Sequence, residues 1–219
     1  MRYLKFMVIE LRAVEYTKEQ KALIKGVTEA PEFNHTDWSS DRLESLRSSI
    51  RSHYREEQNF LCCYCKNSIS LRNAANCQVE HIAPKSKYKH FIFNPKNLCV
   101  VCVDCNNAKR DIDVVKPLPL KKERTKYPPS SQFLIIHPHF DNYDEHLKKF
   151  GERIYFPLTE KGRSTYSVCK LDKGLADMGY FDSEEILSDI ELMAQIMDAK
   201  VRKDTKKLTI LKKLLIESI

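Results

Sequence analysis

The sequence predicts an α+β protein, and three observations carry that reading. The stretch from Cys62 to Arg110 holds two Cys-x-x-Cys pairs with short apolar runs between them. Leu43, Leu46, Ile50 and Tyr54 fall at helical spacing, which predicts a helix over about 41–59 leading into the first pair. The pattern turns helical again from about residue 183. The chain accordingly divides into an N-terminal region 1–60, a cysteine-bounded core 61–115, a linker 116–132 and a C-terminal accessory region 133–219.

In chain order, the apolar run YLKFMVIEL within residues 1–16 suits either a strand or the start of an amphipathic helix. Residues 26–40, with Pro31 and Asn34, read as loop. Asp41 and Glu44 have the spacing of a capping box for the helix that follows. Four prolines and a basic cluster between Pro117 and Gln132 suggest a linker laid over the surface. A strand-like run from Phe133 breaks at Pro138, and residues 153–171 suggest a strand pair turning at Glu160-Lys161-Gly162. Ile186, Ile190, Met193, Met197 and Val201 then share a helical face behind a capping signal at Asp182 and Glu185, followed by Leu208, Leu211 and Leu215. These terminal helices suit packing within the chain or a partner surface.

A hydrophobic fraction of 42% in 219 residues suits a folded, well-cored protein. The net charge of +7 is compatible with a polyanionic partner. No signal peptide is visible, and no apolar run approaches the roughly 18 residues of a membrane span. The expectation is a cytoplasmic protein with reduced thiols and no membrane partner, in which paired cysteines serve as metal ligands rather than disulfides.

Two Cys-x-x-Cys turns can grip one tetrahedral zinc ion. Cys62 and Cys65 supply the first, while CVVCVDC offers both Cys99/Cys102 and Cys102/Cys105 for the second. Between the pairs, Glu80 and His81 are neighbours whose side chains point to opposite sides of a strand. A histidine near its ordinary pKa can take a proton from water at neutral pH. Lys85, Lys87, Lys89, Lys96, Lys109 and Arg110 surround this pair, as backbone-phosphate contacts or as a solvated loop. Tyr88 and Phe91 fit loop anchors or base-stacking groups. His137 and His139, with Asp141 and His146, form a second cluster, better read as structural or partner-contact histidines than as ligands.

Glu80-His81, then Asn97, then Asn106 directly after Cys105, with Lys109 behind it, resemble the HNH endonuclease family, over about 50 residues and in the family's order. The resemblance implies a ββα-metal core stapled by a structural zinc on Cys62, Cys65, Cys102 and Cys105. It selects the later second pair, because that register puts Asn106 just past the last ligand. Cys63, Cys77, Cys99 and Cys169 are then small buried hydrophobes. The first strand would carry Glu80 and His81, a long loop Asn97, the second strand Leu98 to Val101, and the helix Asn106. By the same resemblance His81 is the general base, Glu80 and Asn106 hold one catalytic magnesium or manganese ion, and Asn97 braces the loop. Asn107 competes with Asn106 for its place. Glu80 departs from the commoner Asp or His, which lengthens the carboxylate's reach. Lys85, Lys87, Lys89, Lys109 and Arg110 are the expected nucleic-acid contacts.

The implied activity is hydrolysis of DNA leaving 5′-phosphate and 3′-hydroxyl ends; the alternatives are RNA, for instance tRNA, as substrate, or a non-catalytic zinc-stabilised adaptor. EEQNFLCCYC, VEHIAPKS and NLCVVCVDCNNAK are similar to small HNH nucleases that work with an ATPase in bacterial anti-phage systems such as Septu and some retrons. That likeness makes the C-terminal region the expected ATPase-binding part.

Overall fold

The structure is a computed structural model that describes residues 11–118, 124–150 and 154–171 and, in the C-terminal region, 192, 195–196, 198–200 and 202–217. The chain divides after Asn142 into two units. The run at residues 1–10 and the helical pattern from Asp182 to Val201, apart from a few positions, lie outside the described residues.

In the first unit, α1 spans Lys18–Thr28 behind a capping box in which the Thr17 hydroxyl accepts from Gln20 N and the Gln20 amide oxygen accepts from Thr17 N. A short 3-10 turn over Asp41–Leu43 leads into α2, Glu44–Glu57. The capping box expected of Asp41 and Glu44 does not form. Instead Glu44 pairs with Arg47 one turn on, and the Arg47 guanidinium closes the entry by donating to Trp38 O at 2.5 Å and Ser40 O at 2.8 Å. The helical face expected from the spacing is the buried one: Leu43, Leu46, Ile50 and Tyr54 are all at most 2% exposed.

That face packs on an antiparallel hairpin of β1, Gln78–His81, and β2, Leu98–Val101. The register sets Gln78 opposite Val101 and His81 opposite Leu98. Outward backbone groups of β2 are covered: Val100 N–H donates to the Gln58 amide oxygen, while Gln58 Nε2 and Cys63 N–H both donate to Val100 O. Immediately after β2, α3, Val103–Lys109, returns against β1. The order is therefore strand, strand, helix, with β2 at the residues expected of it.

Residues 116–132 are more than the surface linker expected of them. Lys116 N donates to Gln132 O and Leu134 N to Val114 O, and Val115 bridges Phe133, so the two ends of the segment are paired. Val115 and Phe133 are buried there. Proline-rich composition signals the absence of helix, and it does not prevent extended pairing when apolar residues flank it.

In the second unit, α4, Tyr143–His146, runs into β3, Leu147–Phe150, which pairs antiparallel with β4, Ile154–Pro157. The strand pair expected within 153–171 is corrected: its second half is α5, Glu160–Val168, and β4 pairs upstream instead. Thr159 caps α5 by accepting from Gly162 N. Gly162 permits the close packing, since a Cβ there would lie 1.9 Å from the His146 carbonyl oxygen. A last helix, α6, covers Thr205–Glu217, where Leu208, Leu211 and Leu215 predict one.

The Tyr54 hydroxyl ties α2 to two distant segments, accepting from Val14 N at 3.1 Å and donating to Pro95 O at 2.6 Å. Tyr54→Phe keeps the ring and strands both groups. The expected loss is about 1–3 kcal/mol in urea denaturation.

Candidate functional site

The two cysteine turns meet. One sulfur from each of Cys62, Cys65, Cys102 and Cys105 lies within 4.8 Å of the others, and all four residues are buried. Tetrahedral zinc with thiolate bonds near 2.3 Å needs sulfurs about 3.8 Å apart; Cys65 and Cys102 Sγ are 3.7 Å apart. The group can hold a structural metal such as zinc. The position of Cys102 at the start of α3 contributes: hydrogen bonds from the Cys105, Cys62 and Cys65 thiols, together with the Cys105 backbone N–H, hold it towards thiolate. Burial pushes Cys62 the other way. Cys99, the competing ligand by spacing, turns to the Cys63 thiol at 3.3 Å, outside this group.

Strand alternation and helix pitch decide what faces what. Gln78 and Glu80 share one face of β1, and Asn106 and Lys109 share one face of α3. Asn106 Nδ2 donates to the Gln78 amide oxygen, and Lys109 Nζ lies 2.6 Å from Glu80 Oε1. Both members of that ion pair are at most 5% exposed. Lys109 also donates to His81 O at 3.1 Å, and the Tyr64 hydroxyl, from inside the first cysteine turn, donates to Glu80 Oε1 at 3.4 Å. Burial raises the Glu80 pKa, opposed chiefly by the Lys109 charge. Lys109 is thus corrected as a nucleic-acid contact: it is fully buried, because the uncompensated Glu80 charge needs a partner in a dry interior.

His81 points away from Glu80, as the alternation requires. Its Nε2 is 3.1 Å from Ile92 O, and the edge of its ring meets Trp38 with centroids 4.6 Å apart. A carbonyl oxygen can only accept, so Nε2 carries the proton and Nδ1 keeps the lone pair. Burial, and after it the Lys85 charge, push the His81 pKa down to about 3, which corrects the expectation of a near-ordinary pKa: the ring is neutral at ordinary pH and a weaker base than a free imidazole.

Asn97 is wholly buried in the bend before β2 and uses both ends of its carboxamide. Oδ1 accepts from Ala83 N at 2.7 Å and from the Tyr127 hydroxyl at 3.1 Å, while Nδ2 donates to Ala83 O at 3.1 Å and Phe91 O at 3.0 Å. With two donors and two acceptors engaged, this side chain braces the loop whose Ile92 carbonyl holds His81.

The remaining basic residues stay near water. Lys87, Lys89, Lys96 and Arg110 are exposed and Lys85 is half-buried. Phe91 is a buried anchor, stacked on Tyr88, whose hydroxyl donates to Asp113. Asn107 is exposed on the side of α3 away from Lys109. His137 and His139 are buried inside the first unit and lie with Tyr127 behind Asn97. Motif and spacing did not point to Gln78, Tyr64, Trp38 or Tyr127. Gln78 was reachable by counting two residues back from Glu80 along the strand; Trp38 and Tyr127 reach the site from segments that read as loop and linker.

Two results are expected. Cys102→Ser is expected to lose the bound zinc, about one ion per chain, whereas Cys99→Ser is expected to retain it, as read by elemental analysis after gel filtration. Lys109→Met is expected to cost about 3–5 kcal/mol in urea denaturation, because it leaves the Glu80 carboxylate buried and unpaired. Neither the protein-family models nor the curated proteins with which the sequence was compared match it, which leaves its function to be inferred from the residues themselves.

Proposed function

We propose that the chain is a metal-dependent HNH-type endonuclease that hydrolyses phosphodiester bonds in DNA. One observation carries the reading. β1 directs Glu80 towards α3, the helix that bears Asn106, and directs the next residue, His81, to its other side with Nδ1 left as a base.

Glu80 and Asn106 would hold one magnesium or manganese ion, since carboxylate and amide oxygens suit hard cations. The donor types suit a hard cation: Asn106 Nδ2 is committed to Gln78, which leaves Oδ1 to act as a ligand, and Glu80 offers a carboxylate from which the Lys109 ammonium would have to withdraw. A bound cation supplies electrostatic stabilisation for charge developing on the phosphate and the leaving oxygen. His81 takes a proton from the attacking water at Nδ1, and the Ile92 carbonyl keeps its ring from turning. Asn97 maintains that loop, and Lys85, Lys87, Lys89, Lys96 and Arg110 neutralise neighbouring backbone phosphates. The zinc on the four cysteines would do no chemistry; it fixes the ends of the stretch.

An anti-phage effector role with an ATPase partner follows from the sequence resemblance, with the C-terminal region as the docking part. The buried Glu80–Lys109 pair favours a second reading, a zinc-stabilised binding module, because a carboxylate neutralised in this way is also what a purely structural core would contain.

The test is a plasmid-nicking assay with magnesium or manganese, run beside labelled RNA, on wild type and His81→Ala. Nicking of DNA that falls at least about a hundredfold in the variant is the expected outcome, at the lower end of the contribution of a general base. Equal activity in the two proteins removes the role given to His81. Cleavage of RNA alone selects the ribonuclease reading, and inert wild type with bound zinc selects the binding module.

A further inference from the structure

Two buried histidines lie behind the candidate site without a part in the chemistry above. His137 is 0% exposed and His139 4%. The ring of His137 is stacked on Phe140 with centroids 4.2 Å apart and meets Phe133 at 4.5 Å, so its orientation is set by packing. Its backbone N–H donates to Asp141 Oδ2 at 2.8 Å, which fixes the main chain beneath the ring.

The proton positions on this ring follow from its neighbours. The backbone N–H of His139 points at His137 Nδ1, 3.3 Å away, so Nδ1 is an acceptor and holds the lone pair. Nε2 therefore carries the proton and donates to the Tyr127 hydroxyl oxygen at 2.8 Å. That oxygen is thereby occupied as an acceptor, and its own proton is directed onward. Two oxygens lie within reach, Asn97 Oδ1 at 3.1 Å and Lys96 O at 3.0 Å. Burial keeps Tyr127 a phenol and so a donor. His139 grips the next residue along, with Nε2 2.8 Å from Leu98 O.

We propose that Tyr127 and His137 are positioning residues for the loop that presents His81. The donor chain runs from His137 Nε2–H to Tyr127 Oη–H, whose proton is shared between Asn97 Oδ1 and Lys96 O, and Asn97 then fixes Ala83 and Phe91 on either side of the loop. Ile92, next to Phe91, holds the ring of His81. Losing the direction of these donors lets the Asn97 carboxamide rotate between its two ends, since its oxygen then has one donor fewer. The His-Pro-His tripeptide, which belongs to no metal-ligand group among the described residues, serves this purpose through both of its imidazoles. His137 acts through Tyr127 on Asn97, and His139 acts on Leu98. The consequence for catalysis rests on the nuclease reading, while the hydrogen-bond chain does not.

The experiment uses the full-length zinc-loaded protein. Ring-nitrogen spectra of His137 are expected to report the Nε2–H tautomer in wild type; the Nδ1–H tautomer overturns the proposal. In the nicking assay Tyr127→Phe, which keeps the ring, is expected to lose tenfold to a hundredfold in kcat, with KM for plasmid within about twofold of wild type. His137→Gln, whose side-chain N–H can stand in for Nε2–H, is expected to keep most of the activity that His137→Leu loses. Adding His137→Leu to Tyr127→Phe is expected to cost nothing more, and additive losses overturn the chain. If wild type cuts nothing, the nuclease reading falls and exchange protection of the Ala83 amide decides the network. A drop of about tenfold or more in Tyr127→Phe supports it; unchanged protection overturns it.

Discussion

Four sulfurs drawn within 4.8 Å of one another are the constraint from which the rest of the first unit follows. Cys65 and Cys102 are 37 residues apart, and joining them closes a long loop whose entropy has to be offset by something strong. Four thiolates on one cation would do this in a way that four neutral thiols cannot, because a metal would supply several bonds and cancel the repulsion between the thiolates. Once the ends are joined, the strands between them have little choice of partner. β1 and β2 pair, and α3 starts at a cysteine that belongs to the four-sulfur group and also caps the helix.

Inside that closed stretch, electrostatics is governed by burial. Glu80, His81 and Lys109 are each at most 5% exposed, and they deal with it in two ways. The carboxylate takes an ammonium partner, and the imidazole sheds its charge and satisfies its one N–H on a carbonyl. These are the two solutions that a low dielectric permits for ionisable groups. They also put a negative charge and a free imidazole lone pair on opposite sides of one short strand. A merely solvated loop, with both residues in water, would impose neither arrangement.

Loop 82–97 has few regular elements, yet it is not loosely held. Its backbone groups at Ala83 and Phe91 are satisfied by one carboxamide, that of Asn97, and Tyr127 completes the set from the far end of the chain's proline-rich segment. A segment that composition marks as a spacer therefore becomes part of the wall around the site. The bonds that make it so come from single residues, whereas composition averages over the whole segment.

The sequence by itself determined the helix over Leu46, Ile50 and Tyr54, the paired cysteine turns and the opposed directions of Glu80 and His81, while the choice of Cys105 over Cys99 and the second strand were implied by the family resemblance. The first three depend on a local period or a ligand spacing, and those are properties of neighbours along the chain. It did not determine that Lys109 is buried on Glu80, that Gln78 holds Asn106, that residues 160–168 are helix rather than strand, or that Tyr127 reaches Asn97. Lys109 stands beside the exposed Arg110 in the same basic run, and only the return of α3 onto β1 separates them. Tertiary structure decided these because a charge or an amide chooses its partner by desolvation and distance in space, which no spacing along the chain encodes.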